Sequence, residues 1–187
     1  MDINIKVKSI SLFNKPASTV KPADKVSLVD LYKLITSDKY KQPTEELRGF
    51  ANPNVIRDYK GKNFDYVTFS GIFPYRADDA LKYHSGYICI DLDHLEGDVR
   101  EVQAKLITDP YFYTLLNFIS PSNTGLKWIV PIDLSQGGHR KWFNAIRNYL
   151  RETYSLEADS ACINVSRTCF LPYDPACYAC KEIMLNL

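Results

Sequence analysis

The sequence carries no excess of charge of either sign: 23 Lys plus Arg stand against 22 Asp plus Glu, a formal net charge of +1. That balance excludes a histone-like, uniformly basic binder but not a local basic patch, which a total averages away. Long apolar runs are also missing, and none approaches the roughly 18 residues that span a bilayer. The N-terminus, MDINIKVKSISLF, alternates apolar and polar residues and includes Lys6 and Lys8, whereas a signal peptide needs an unbroken apolar stretch there. A cytoplasmic protein with no membrane association is the expectation. The five cysteines are odd in number, which argues against a disulfide framework. Cys177 and Cys180 form a CxxC, but Cys162 and Cys169 are widely spaced and no His lies nearby. A zinc knuckle needs two close-spaced pairs, so buried free thiols are expected. There are no internal repeats and no low-complexity tract.

What is present is ordinary globular material. The chain of 187 residues is 45% hydrophobic and 24% charged, which suits one domain with a self-sufficient core. No linker divides it, so residues 1–187 are read as a single domain. Residues 3–11 alternate as a strand with a bulge. Ser27 looks like the N-cap of a helix over 28–37, and Thr44 with Glu45 and Glu46 suggests a second short helix. Residues 64–73 and 86–92 read as strands, the latter a continuous apolar run typical of a buried one. Val99, Val102, Leu106 and Ile107 suit an amphipathic helix that Asp109-Pro110 stops. Residues 111–119 and 125–132 read as strands, 138–153 as a helix with Trp142, Phe143, Ile146, Tyr149 and Leu150 on one side, and 168–172 as a short strand. The order β–α–β–β–α–β from residue 86 onward predicts an α+β fold: a ferredoxin-like or RNA-recognition-motif-like core sheet with an N-terminal α/β extension.

Three segments carry chemistry. In Ile90-Asp91-Leu92-Asp93 the two carboxylates share one face of a strand, roughly 6–7 Å apart, and suit a divalent cation with positions left open for phosphates. Taken alone, a DxD is more often a turn cap. Residues 120–130 turn through Ser120, Ser122, Asn123 and Gly125 into a strand bearing Lys127. Such a turn can offer amides and hydroxyls to an anion, and Lys127 can meet a phosphate as a point charge. It is equally an ordinary hairpin with a solvated lysine. In residues 157–175, Asp159 follows a helix and Arg167 precedes a short apolar strand. Separately these read as a turn residue and a surface ion pair. Lys127, Arg140, Lys141, Arg147 and Arg151 face only Asp133 between residues 120 and 151, while 91–101 is acidic. An acidic site beside a basic surface suits a metal-dependent enzyme acting on a polyanion.

In this order the three segments resemble the archaeo-eukaryotic primase superfamily, and within it the primase-polymerase-like domain labelled VirE N-terminal-like in bacterial mobile-element proteins. The resemblance rests on His84-Ser85-Gly86-Tyr87-Ile88-Cys89-Ile90-Asp91-Leu92-Asp93, on Ser120-Pro121-Ser122-Asn123-Thr124-Gly125-Leu126-Lys127, and on Asp159 followed by Ser166-Arg167-Thr168-Cys169-Phe170-Leu171-Pro172. Phe69-Ser70-Gly71-Ile72-Phe73 adds to it, and it spans about residues 64–175. It implies a metal-dependent nucleotidyltransferase of primase-polymerase type in replication of a mobile element or phage. Asp91, Asp93 and Asp159 would be catalytic and hold Mg²⁺ or Mn²⁺; Ser120, Ser122, Gly125, Lys127 and Arg167 would bind the nucleotide. Partners implied are nucleoside triphosphates, single-stranded DNA or a primer-template, and a helicase or further domains of a longer protein. Position 127 is Lys where active primases usually have His, and Asn123 stands where Gly often sits. The alternatives are an inactive RNA-recognition-motif-like nucleic-acid-binding module and a metal-dependent nuclease.

Overall fold

The computed structural model describes residues 8–187; the part of the first expected strand at residues 3–7 lies outside them, and among the described residues that strand begins only at Ile10. The chain is an α+β structure built on antiparallel sheets. Its first sheet is opened by β1 (Ile10–Phe13) and β2 (Asp24–Val26), which pair antiparallel. Helix α1 (Leu28–Thr36) begins at Ser27, whose side chain accepts from Asp30 N–H while the Asp30 carboxylate accepts from the Ser27 N–H. This reciprocal cap satisfies two of the amide groups that every helix start leaves without partners. Helix α2 (Lys41–Arg48) starts three residues before the expected Thr44.

Helix α3 (Pro53–Asn63) was not foreseen. None of its residues is fully buried, so no apolar period marks it. Its sequence signal is Asn52 as N-cap with Pro53 at the first helical position, where a missing N–H costs nothing.

The expected strand over 64–73 breaks into β3 (Tyr66–Thr68) and β4 (Gly71–Ile72). β4 forms a small ribbon with β5 (Tyr83–His84). β6 (Tyr87–Leu92), α4 (Val99–Ile107), β7 (Leu116–Ile119), β8 (Leu126–Pro131) and α5 (His139–Tyr154) then follow in the expected order. Both β6 and β7 pair antiparallel with β8, which lies between them, so α4 makes a split β–α–β crossover. Residues 111–115 precede β7 as irregular chain rather than strand. The chain ends in β9 (Cys169–Phe170), β10 (Tyr178–Ala179) and α6 (Lys181–Met184).

The fourth strand departs from the βαββαβ expectation. β9 does not join the free edge of β6 but pairs with β3 in the first sheet, whose order is β2-β1-β3-β9. The second sheet runs β10-β7-β8-β6. The β6 edge is taken instead by the chain after α5, where the Asp159 N–H donates to the Asp91 carbonyl at 2.8 Å and a 3₁₀ turn follows at Ser160–Ile163. The chain thus passes the second sheet before it reaches the first.

Alternation along the strands divides the core. Ile88, Ile90 and Leu92 of β6 with Leu126, Trp128 and Val130 of β8 pack against Val99 and Leu106 of α4 and Phe143, Ile146 and Leu150 of α5. Tyr87 and Ile129, on the opposite face, join α1 and the first sheet in a second core. A strand buried on both faces shows the unbroken apolar run seen in 86–92. Trp128 is fully buried, and its indole N–H donates to Thr114 Oγ1 at 2.7 Å. Asp91 and Lys127 lie on the face that looks toward the first sheet.

A candidate active-site cleft between the two sheets

The register places Asp91 of β6 directly across from Lys127 of β8. Both side chains are buried, at 6% and 7% exposure, and they form an ion pair. Charges so far from water need a partner, since an isolated buried ion is far more costly than a paired one. Burial pushes the Asp91 carboxyl above its ordinary value. Burial would pull the Lys127 ammonium down, but the charge of Asp91, joined by Asp93, more than reverses this and leaves it firmly protonated. Within the pair it is the Asp91 Oδ1 atom that the Lys127 ammonium contacts.

Asp93, two residues on, points the same way from the strand end, with Oδ1 3.8 Å from Lys127 Nζ. It is half-exposed at the cleft mouth. Burial acts to raise its carboxyl, and the Lys127 charge brings it below the usual range. His94 then turns the chain with a left-handed φ of 54°, which ends the strand and removes it from any continuing alternation.

The turn at residues 120–125 is held by its own backbone. Ser120 N–H donates to Gly125 O at 2.8 Å, and Asn123 N–H donates to Ser120 O at 3.0 Å. Asn123 supplies the left-handed conformation, φ 63°, that its short polar side chain tolerates. Ser120 is buried and lines the cleft. Ser122 stands back from the cleft wall, within hydrogen-bond distance of the Ser120 and Thr124 hydroxyls. Gly125 does not line the cleft either. A Cβ there would meet the Leu92 carbonyl oxygen at 2.3 Å and the Asp93 Cα at 3.1 Å. Its lack of a side chain lets the turn approach the end of β6, as close backbone contact requires.

Asp159 caps the Ser160–Ile163 turn, with Oδ1 accepting from Ala161 N–H at 2.9 Å and Oδ2 from Arg167 Nη2 at 2.5 Å. The backbone bond from Asp159 to Asp91 brings the third acid to the first. One ligand atom each from Asp91, Asp159 and Cys162 lies within 4.8 Å of the other two. Cys162 is buried, and burial with the nearby Asp91 charge pushes its thiol up to about 12.

Asp91, Asp93, Ser120, Lys127 and Arg167, with Lys60, border a cleft of about 120 Å³. Behind it a cavity of about 20 Å³ touches Asp91, Lys127, Cys162 and Arg167. Sequence reasoning did not find Lys60, because it sits on the unforeseen α3; burial, and next the Lys127 charge, lower its ammonium. Nor did it find Cys162, although its place three residues after Asp159, on the same short turn, was a signal. His84 and His139 form a pair. The two rings meet at 3.1 Å in a directed chain. Gly86 N–H donates to His84 Nδ1, so His84 Nε2 donates to His139 Nδ1, and His139 Nε2 donates to the Cys162 carbonyl. All five cysteines are free.

The fold and cleft define an α+β domain with acids and cations gathered between two antiparallel sheets. The chain belongs to the family described as BT4734-like, N-terminal domain, whose model matches residues 59–178. The match takes in every site residue named above, from Lys60 to Arg167. No curated protein and no solved structure matches the chain significantly. Among the described residues, no helix is long and apolar enough to cross a membrane.

Proposed function

We propose that this domain is a metal-dependent nucleotidyltransferase of primase-polymerase type, on a ferredoxin-like core, acting in the cytoplasm in replication of a mobile element or phage. The observation that carries the reading is the approach of Asp159 to within 4.8 Å of Asp91, which lines a cleft that Lys60, Lys127 and Arg167 also border. The donor set fits a divalent cation. Asp91 and Asp159 bring carboxylate oxygens within 4.8 Å of each other, and hard divalent ions take carboxylate oxygens. Asp91, Asp93 and Asp159 are the residues that would hold Mg²⁺ or Mn²⁺. Such an ion, when bound, activates an attacking hydroxyl and neutralises charge on a pyrophosphate leaving group.

The protein's own groups do the rest. The three cations bordering the cleft offset Asp91, Asp93 and Asp159, so the metal-free cleft is close to neutral, and a metal-laden one attracts a polyphosphate. Arg167 presents a planar fork suited to phosphate oxygens, Lys127 and Lys60 present point charges, and Ser120 presents a hydroxyl at the wall. The partners are nucleoside triphosphates, single-stranded DNA or a primer-template, and a helicase or further domains of a longer protein.

A second reading has one observation in its favour. Lys127 with Asp91 and Arg167 with Asp159 already neutralise two of the acids internally, as suits a binding module without catalysis. A nuclease would use the same carboxylates. Incubation with labelled nucleotides, single-stranded DNA and Mn²⁺ separates the three. The proposal expects labelled, extended product. Shortened DNA would establish the nuclease, and retention of DNA without either product would establish the binding module.

A further inference from the structure

Cys162 is the one group at the meeting point of Asp91 and Asp159 that a site for hard cations does not need. It is buried at 3% exposure, and its sulfur completes the cluster of ligand atoms within 4.8 Å. Asp91, 6% exposed, brings a carboxylate oxygen to that point. The adjoining cavity of about 20 Å³ touches both Asp91 and Cys162 and is large enough for one water-sized occupant. We propose that Asp91, Asp159 and Cys162 form a mixed oxygen–sulfur site for a thiophilic divalent ion of the Zn²⁺ or Co²⁺ class. The inference rests on the metal-binding reading of the same cleft.

A thiolate shifts preference away from Mg²⁺ toward borderline metals. Three protein ligands with a fourth position open toward a cleft is the arrangement of catalytic rather than structural zinc sites. Ligand atoms around a tetrahedral ion sit about 3–4 Å apart, so modest side-chain rotation closes the cluster. Lys127 has somewhere to go: its Nζ lies 3.8 Å from Asp93 Oδ1, so the ammonium can pass to Asp93 when Asp91 turns to a metal. As the sulfur–metal bond forms, the Cys162 S–H bond breaks and its proton leaves to solvent. Two carboxylates, one thiolate and a divalent ion then total one negative charge, which the adjacent Arg167 offsets.

The test titrates Co²⁺ into the reduced, metal-free chain and follows thiolate-to-cobalt charge-transfer absorption in the near ultraviolet. The expected result is a saturable band that Zn²⁺ abolishes and excess Mg²⁺ leaves intact. Cys162→Ser should remove the band and weaken Zn²⁺ binding by about tenfold or more, while Cys89→Ser and Cys169→Ser retain it. Asp159→Asn, which leaves every thiol in place, should weaken it. No band in the parent chain, or a band unchanged in Cys162→Ser, overturns the inference. Mn²⁺ binding, followed in parallel by electron paramagnetic resonance, separates the two failures. Binding of Mn²⁺ without a cobalt–thiolate band sinks only the Cys162 ligand, whereas loss of both sinks the metal-binding reading as well.

Discussion

Asp91 and Lys127 face each other across the β6–β8 ladder and form a buried ion pair at the floor of the cleft. From the sequence, Asp91 and Asp93 read as ligands for a divalent cation, with Lys127 either meeting a phosphate or solvated on a hairpin. The structure places the ammonium against both acids. In the metal-free protein Lys127 therefore stands where a cation is needed, and the acids are coupled to the fold as well as to any chemistry.

That coupling makes stability a direct readout. Lys127→Ala strands the Asp91 carboxylate in the interior, and breaking one side of a buried pair costs about 3–5 kcal/mol. Chemical denaturation of the variant should show a loss of that size. Asp91→Leu with Lys127→Met removes both charges and should recover most of it. A loss below about 1 kcal/mol in Lys127→Ala would place the pair in solvent.

Gly125 gives a second test, independent of charge. The Cβ of Gly125→Ala would lie 2.3 Å from the Leu92 carbonyl oxygen, which is backbone and cannot rotate aside. Overpacking of this kind costs about 1–3 kcal/mol, and here it also shifts Asp93. Denaturation should show the loss, and Mn²⁺ affinity should fall with it. An alanine tolerated without effect on either would place the turn farther from β6.

The histidine pair predicts a pH dependence. Burial, then the neighbouring His139 and Lys8 charges, lower His84 from 6.5 to about 4. The folded state therefore resists a proton that the unfolded chain accepts. As pH falls below 6.5 the unfolded state gains protons first, so stability is lost progressively down to about pH 4. Melting temperature measured across that window should decline in the parent and less steeply in His84→Gln. Parallel profiles would show that His84 titrates alike in both states.

Much of the architecture was legible because burial leaves periodic marks. α1 announced itself through Ser27 and its cap, α5 through Phe143, Ile146 and Leu150, and β6 through an apolar run filled by burial on both faces. α3 left no such mark, since none of its residues is fully buried, and Lys60 was hidden with it. Two residues of strand at Cys169–Phe170 do not say which sheet edge they join, so the pairing of β9 with β3 could not be read. Asp91, Asp93, Asp159, Lys127 and Arg167 could each be named from motif order. Their pairing could not, because register between strands distant in sequence is set by the fold and not by spacing. The Asp91–Lys127 contact was therefore invisible until the ladder was known.

Metal-dependent nucleotidyl transfer is read from the initial rate of labelled nucleotide incorporation on single-stranded DNA as Mn²⁺ is added, compared between the parent and Asp93→Asn. Asp93 is half-exposed, so the variant should fold and isolate the metal role from the buried pair. Incorporation should require the metal and fall by about 100-fold or more in Asp93→Asn, a loss of roughly 2.7 kcal/mol or more in transition-state stabilisation. Incorporation that persists without metal, or at equal rates in the two proteins, would contradict metal-dependent transfer at this cleft.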